Sequence, residues 1–142
     1  MPVEAPGASG MRKALKLFAL GGVLLAAAAA AWAQERSPAD RQTLVELAYA
    51  LGQSHALRQV CSGANDYYWR RRMQQLVAAE QPDGPFNRRL ADSFNDGFIA
   101  SRQAFPVCNA ASRAEAEAIA AKGGELAQDL NSGAVAEDGP TR

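Results

Sequence analysis

The sequence predicts an all-α fold, a small antiparallel bundle of four helices with one disulfide. Three observations lead to it. Apolar residues recur at helical spacing in four segments, strand alternation and hairpin turn pairs are missing, and the two cysteines follow the first and third segments. A chain of 142 residues has room for one domain.

The first element predicted is a leader rather than part of the fold. Arg12, Lys13 and Lys16 precede an uncharged run of apolar residues and Gly from Leu17 to Ala31, and Ala31-Trp32-Ala33 supplies an A-x-A site. This is the pattern of a secretory signal peptide over residues 1–33, and the run is short for a spanning helix, which needs about 20 residues. Residues 2–10 carry Pro2, Glu4, Pro6, Gly7 and Gly10, poor leader material, so translation is expected to start at Met11. Cleavage leaves a helical domain over residues 34–130, an expected disordered tail over 131–142, and no spanning helix.

Segment one covers residues 38–60. Ser37 suits the N-cap, Pro38 the first helical position and Asp40 the positive helix end. Leu44, Leu47, Ala48, Leu51 and His55 form its stripe. Segment two covers residues 66–80, with Asn65 as cap and Trp69, Met73, Leu76 and Val77 as stripe. Gln81-Pro82-Asp83-Gly84 stops it. Segment three covers residues 86–105, striped by Phe86, Leu90, Phe94, Gly97, Phe98, Ser101 and Phe105, and Pro106 ends it. Segment four opens on Ser112-Arg113-Ala114-Glu115, a capping-box pattern, and carries the weaker stripe Ala116, Ile119, Gly123, Leu126 and Leu130.

Exported cysteines usually pair. In an up-down-up-down path the ends of segments one and three fall together, which brings Cys61 to Cys108. A bridge over that 47-residue separation is worth roughly 4 kcal/mol in the chain-entropy model. Ala48, Gly52 and Ala56 on segment one, and Ser93, Gly97 and Ser101 on segment three, place small residues at four-residue spacing. The two helices are expected to cross closely near Gly52 and Gly97.

The 15 basic and 15 acidic residues cancel, and loss of Arg12, Lys13, Lys16 and Glu4 with the leader leaves a net charge of −2. Nothing in that balance draws the protein to nucleic acid. Cys-x-x-Cys, its haem-attachment extension, His-Glu-x-x-His, Gly-x-Ser-x-Gly and a glycine-rich phosphate loop are all missing, so no cofactor or metal is implied. Two groups remain. Arg70, Arg71, Arg88 and Arg89, with Tyr67 and Tyr68, form a candidate binding surface, and Arg72 belongs to the same run. Its expected partner is an envelope protein or an anionic cell-wall or lipid surface, unless the arginines simply pair with Asp66, Asp92 and Asp96. His55, Trp69, Arg72 and Asn95 are candidate core or pocket residues. His55 is expected near Trp69 and Arg72, buried with a hydrogen-bond partner. Ile99 lies off the main stripe and is expected to be covered by segment four.

Leu51-Gly52…His55…Leu57-Arg58…Cys61, Trp69-Arg70…Met73, Ser93-Phe94-Asn95…Gly97-Phe98 and Cys108 together resemble a family of short exported proteins from alphaproteobacteria, a domain of unknown function. The resemblance spans about residues 44–130. The pattern carries Tyr where this chain has Phe98 and Phe105, so no hydroxyl-dependent role carries over there. It implies export and the helical fold, and no activity, cofactor or catalytic residue. The sequence therefore favours a non-enzymatic periplasmic binding or structural protein of the envelope. A small envelope enzyme or ligand carrier around His55, Trp69, Arg72 and Asn95 is the second reading. A metal chaperone using His55 and Met73 is the third.

Overall fold

The structure, a computed structural model, describes residues 36–137, with side chains to 133. The leader and the last five residues lie outside the described residues. Four helices follow in order: α1 Pro38–Ser62, α2 Tyr68–Glu80, α3 Gly84–Ala104 and α4 Ala110–Glu137. The disulfide joins Cys61 to Cys108, with Cα atoms 4.9 Å apart.

The ends of the helices follow from their capping residues. At the start of α1, Ser37 Oγ accepts from the Asp40 N–H at 3.1 Å, and Pro38 occupies the first turn. That helix stops at Gly63, whose φ of 103° suits a residue without a Cβ and whose N–H donates to the Gln59 carbonyl. For α2 the start falls later than the sequence suggests. Instead of Asn65 capping a helix from Asp66, Asp66 stands outside it and its Oδ1 accepts from the Tyr68 N–H at 3.0 Å. The same carboxylate takes the Arg58 guanidinium at 2.6 Å, and these two donors, the backbone one first, hold its pKa below the usual range. Conversely, α3 starts two residues early, because Asp83 accepts from the Phe86 N–H at 2.8 Å and caps it.

Two expectations about α4 are corrected. It begins at Ala110, capped by Asn109: the Asn109 Oδ1 accepts from the Ser112 N–H at 3.0 Å and the Ser112 Oγ from the Asn109 N–H at 2.9 Å. Ser112 is thus the inner half of a reciprocal box rather than the cap, and Glu115 takes no part. The helix also runs on to Glu137, so residues 131–137 are helical where an irregular tail was expected. Gly133 lies against Asp40 at the start of α1, which anchors the extension to the domain.

Helix α1 is the hub, with α2, α3 and α4 all packed on it. Paired residues fix the directions. Arg41 with Asp83, Arg89 with Gln42 and Ser93 with the Val45 carbonyl run α1 and α3 parallel in step. Arg36 reaches Glu80 at 2.8 Å and the Leu130 carbonyl, while Arg58 reaches Asp66, so α2 and α4 run antiparallel to α1. The up-down-up-down path is present, with the disulfide at the shared end of α1 and α3.

The close crossing of α1 and α3 is present where the small residues place it. A Cβ on Gly52 would fall on the Phe94 carbonyl and lie 3.0 Å from the Phe98 nitrogen; one on Gly97 would fall on the Tyr49 carbonyl. Backbone thus meets backbone. Beside the crossing, Leu44, Leu47, Ala48, Met73, Phe86, Leu90, Phe94 and Leu130 form the main core, and Ala50, Leu57 and Ile119 form a smaller one between α1 and α4. Ile99 is left 52% exposed, not covered by α4, which packs on α1 instead.

Candidate functional site

With α2 and α4 both lying along α1, the space between them is decided by their facing side chains. On α4 these are small: Ala120, Gly123, Gly124 and Ala127, with the larger Ile119 packed on Ala50 and Leu57 of α1. A Cβ on Gly124 would meet nothing within 4 Å. The opposite wall is Trp69, Arg72, Gln75 and Leu76 of α2, and α1 supplies the floor through Leu47, Ala50, Leu51 and Ser54. The walls therefore stand apart over a cleft of about 520 Å³, within the usual range for ligand sites.

Towards the disulfide the cleft continues into a second, more polar section of about 360 Å³ that shares Ser54, Trp69 and Ala120. Arg58, Cys61, Ser112, Arg113 and Glu117 line it. Three arginines thus border the two sections. Arg58 is paired with Asp66. Arg72 donates to Gln75 and to the Tyr68 hydroxyl, each at 3.2 Å, and Arg113 approaches Cys108 Sγ at 3.6 Å. Neither Arg72 nor Arg113 has a carboxylate within 4 Å among the described residues. Tyr68 holds two of these cations, with Arg58 4.8 Å and Arg72 5.3 Å from its ring centre. Trp69 meets Tyr68 edge-on at 5.0 Å and turns into the cleft.

The candidate residues are divided among different faces. Trp69 and Arg72 line the cleft. His55 does not join them: it lies on the α3 side of α1, 5.8 Å from Phe94, 5.4 Å from Phe98 and 6.4 Å from Tyr67 between ring centres. It shares that side with Gly52, one turn earlier. His55 is 4% exposed, and the expected hydrogen bond is missing: Nδ1 is buried without a partner among the described residues. Burial first, and then the charge of Arg70, hold its pKa below the ordinary value of 6.5 against the opposite pull of Asp66. Asn95 lines a separate groove between α2 and α3 with Arg70, Met73 and Val77.

The arginines are divided as well. Arg70 faces α3, and Arg72 faces the cleft. Arg88 and Arg89 begin α3 at the far end, seven and six residues before Asn95 and so about 10 Å along the axis from the level of Arg70. Arg70, Arg72 and the Arg88–Arg89 pair thus stand on different surfaces, and the expected pairing to Asp66 goes to Arg58 instead. Tyr67 is 46% exposed, whereas Tyr68 is half-buried under its arginines.

Sequence reasoning missed Ser54 and the α4 wall. The signal was present in Ala116, Ala120, Gly123, Gly124 and Ala127, a run of small residues at helical spacing. A model of a family of proteins of unknown function, DUF2385, matches residues 38–133. The chain belongs to that family. The matched span of this DUF2385 member covers α1 to α3 and most of α4, and so every residue of the cleft. No curated protein and no solved structure matches. Among the described residues no group of three His, Cys, Asp or Glu converges as a metal site, and no helix is long and apolar enough to cross a membrane.

Proposed function

We propose that this protein is an exported, non-enzymatic binding protein of the cell envelope, and that the cleft between α2 and α4 is where it binds. The carrying observation is the cleft itself: a mostly apolar trough held open by small residues on one wall and bordered by arginines. Its polar groups, Ser54, Arg72 and Gln75, suit holding a ligand more than moving protons, since the one imidazole of the chain packs on the other side of α1. Export rests on the basic, apolar and A-x-A pattern of residues 12–33. The leading expectation of a binder is kept, and the carrier reading supplies its site, now without His55 and Asn95.

A photo-crosslinker in place of Ala120, in the chain expressed in its own cells, tests both parts. The expected result is a periplasmic protein starting at Gln34 that forms an adduct, which Gly124→Leu removes by filling the cleft. A cytoplasmic protein overturns export. An adduct no different from one formed by a crosslinker at the exposed Gln103 on α3 overturns the cleft.

A further inference from the structure

The geometry points to a single-chain fatty acid as the ligand, its tail between α2 and α4 and its carboxylate at the arginine-bordered end. This rests on the cleft being the binding site. Four observations select that occupant.

The first is shape. From Leu47 to Cys61 the floor follows fifteen residues of α1, whose fourteen rises span about 21 Å. The apolar section holds about 520 Å³. A three-turn helix, about 16 Å long and about 10 Å across, displaces more than twice that volume, so a partner helix does not seat within it. The space suits one extended chain.

The second is polarity along the trough. Leu47, Leu51, Leu76 and Ala127 surround the end remote from the disulfide, and the charged side chains lie towards the other. An amphiphile with one polar end matches that gradient.

The third is charge. Arg72 spends two of its five N–H donors on Gln75 and the Tyr68 hydroxyl, which fix its plane and leave donors for a carboxylate. Arg113 adds a cation without a carboxylate partner, and Arg58 is already neutralised by Asp66. Glu117 is the one acid lining the polar section and offsets Arg113 there, so the uncompensated cation is Arg72, beside the junction of the two sections.

The fourth is the floor. Ser54 is 6% exposed, faces the cleft, and makes no hydrogen bond among the described residues. Its hydroxyl opens into the cleft with its donor unused, so a ligand there can accept from it. Its position beside Trp69, where the two sections join, places it below the carboxylate as a donor.

Titration of the intact chain with octanoate, decanoate and dodecanoate, read by calorimetry, tests the assignment. Affinity is expected to rise about fourfold per methylene buried. Gly124→Leu should abolish binding without lowering the melting temperature, because the added side chain enters open space and the helix loses a glycine. Arg72→Gln should weaken dodecanoate about tenfold and leave dodecanol unchanged. No dependence on chain length, equal binding by the Gly124→Leu variant, or tighter binding of a lysophospholipid or an acidic peptide than of dodecanoate would each overturn the assignment. If no acid binds while Gly124→Leu still removes the Ala120 adduct, the fatty acid falls and the cleft reading stands.

Discussion

His55 is the residue whose surroundings say most about the protein's chemistry. It packs against Phe94, Phe98 and Tyr67 with Nδ1 unpartnered, so the neutral ring is the form the fold accommodates. Its folded pKa lies below 6.5, for reasons of burial first and of Arg70 second. The unfolded chain therefore binds the proton first as pH falls, and stability present above about 6.5 is lost as pH drops through the folded value. As the only His of the chain, it is the one side chain with an unperturbed pKa in that range. The melting temperature is expected to fall between about pH 7.5 and pH 5.5. In His55→Phe, which suits a site of aromatic rings, it should stay nearly level; an equal fall in the variant would assign the dependence elsewhere.

At the scale of elements, the parallel contact of α1 and α3 is decided by glycine. Both helices bring backbone to within touching distance at Gly52 and Gly97, leaving no space for even one methyl group. Gly52→Ala is expected to cost about 2–3 kcal/mol by overpacking. The same change at Gly124, where the new methyl meets nothing, should stabilise by about 0.5–1 kcal/mol, since glycine in a helix interior is otherwise a cost. Urea unfolding of the two variants checks the pair, and effects of the same sign would contradict the crossing. Much at this scale was legible in the sequence. Ser37 and Pro38 mark the start of α1, and the Gly52 and Gly97 rows mark the crossing, because caps and small-residue spacing are written within a few neighbouring residues. The starts of α2 and α4 were not legible. Asp66 and Asn109 each compete with a neighbour for the same backbone donors, and the winner depends on Arg58 and Ser112 respectively.

Across the whole molecule, the disulfide ties the end of α1 to the segment that leads into α4. That link, together with the ion pair of Arg36 and Glu80 at the opposite end, fastens the hub helix at both extremes. Replacing both cysteines by Ser is expected to remove roughly 3–4 kcal/mol, and reductant should bring the unaltered protein to the same urea midpoint. A midpoint unmoved by either treatment would show that the core alone sets the stability. The sequence by itself determined the all-α class, the four helices, the pairing of Cys61 with Cys108 and the family resemblance. Periodicity, breakers and cysteine positions act locally or along a simple path. Only the tertiary structure decided that α1 is the hub, that His55 turns to α3 and Trp69 to the cleft, and that the arginines separate. Those outcomes depend on how far each helix is rotated about its axis and how closely it approaches α1. Side-chain volumes on two helices set both quantities together, and one helix read alone contains neither.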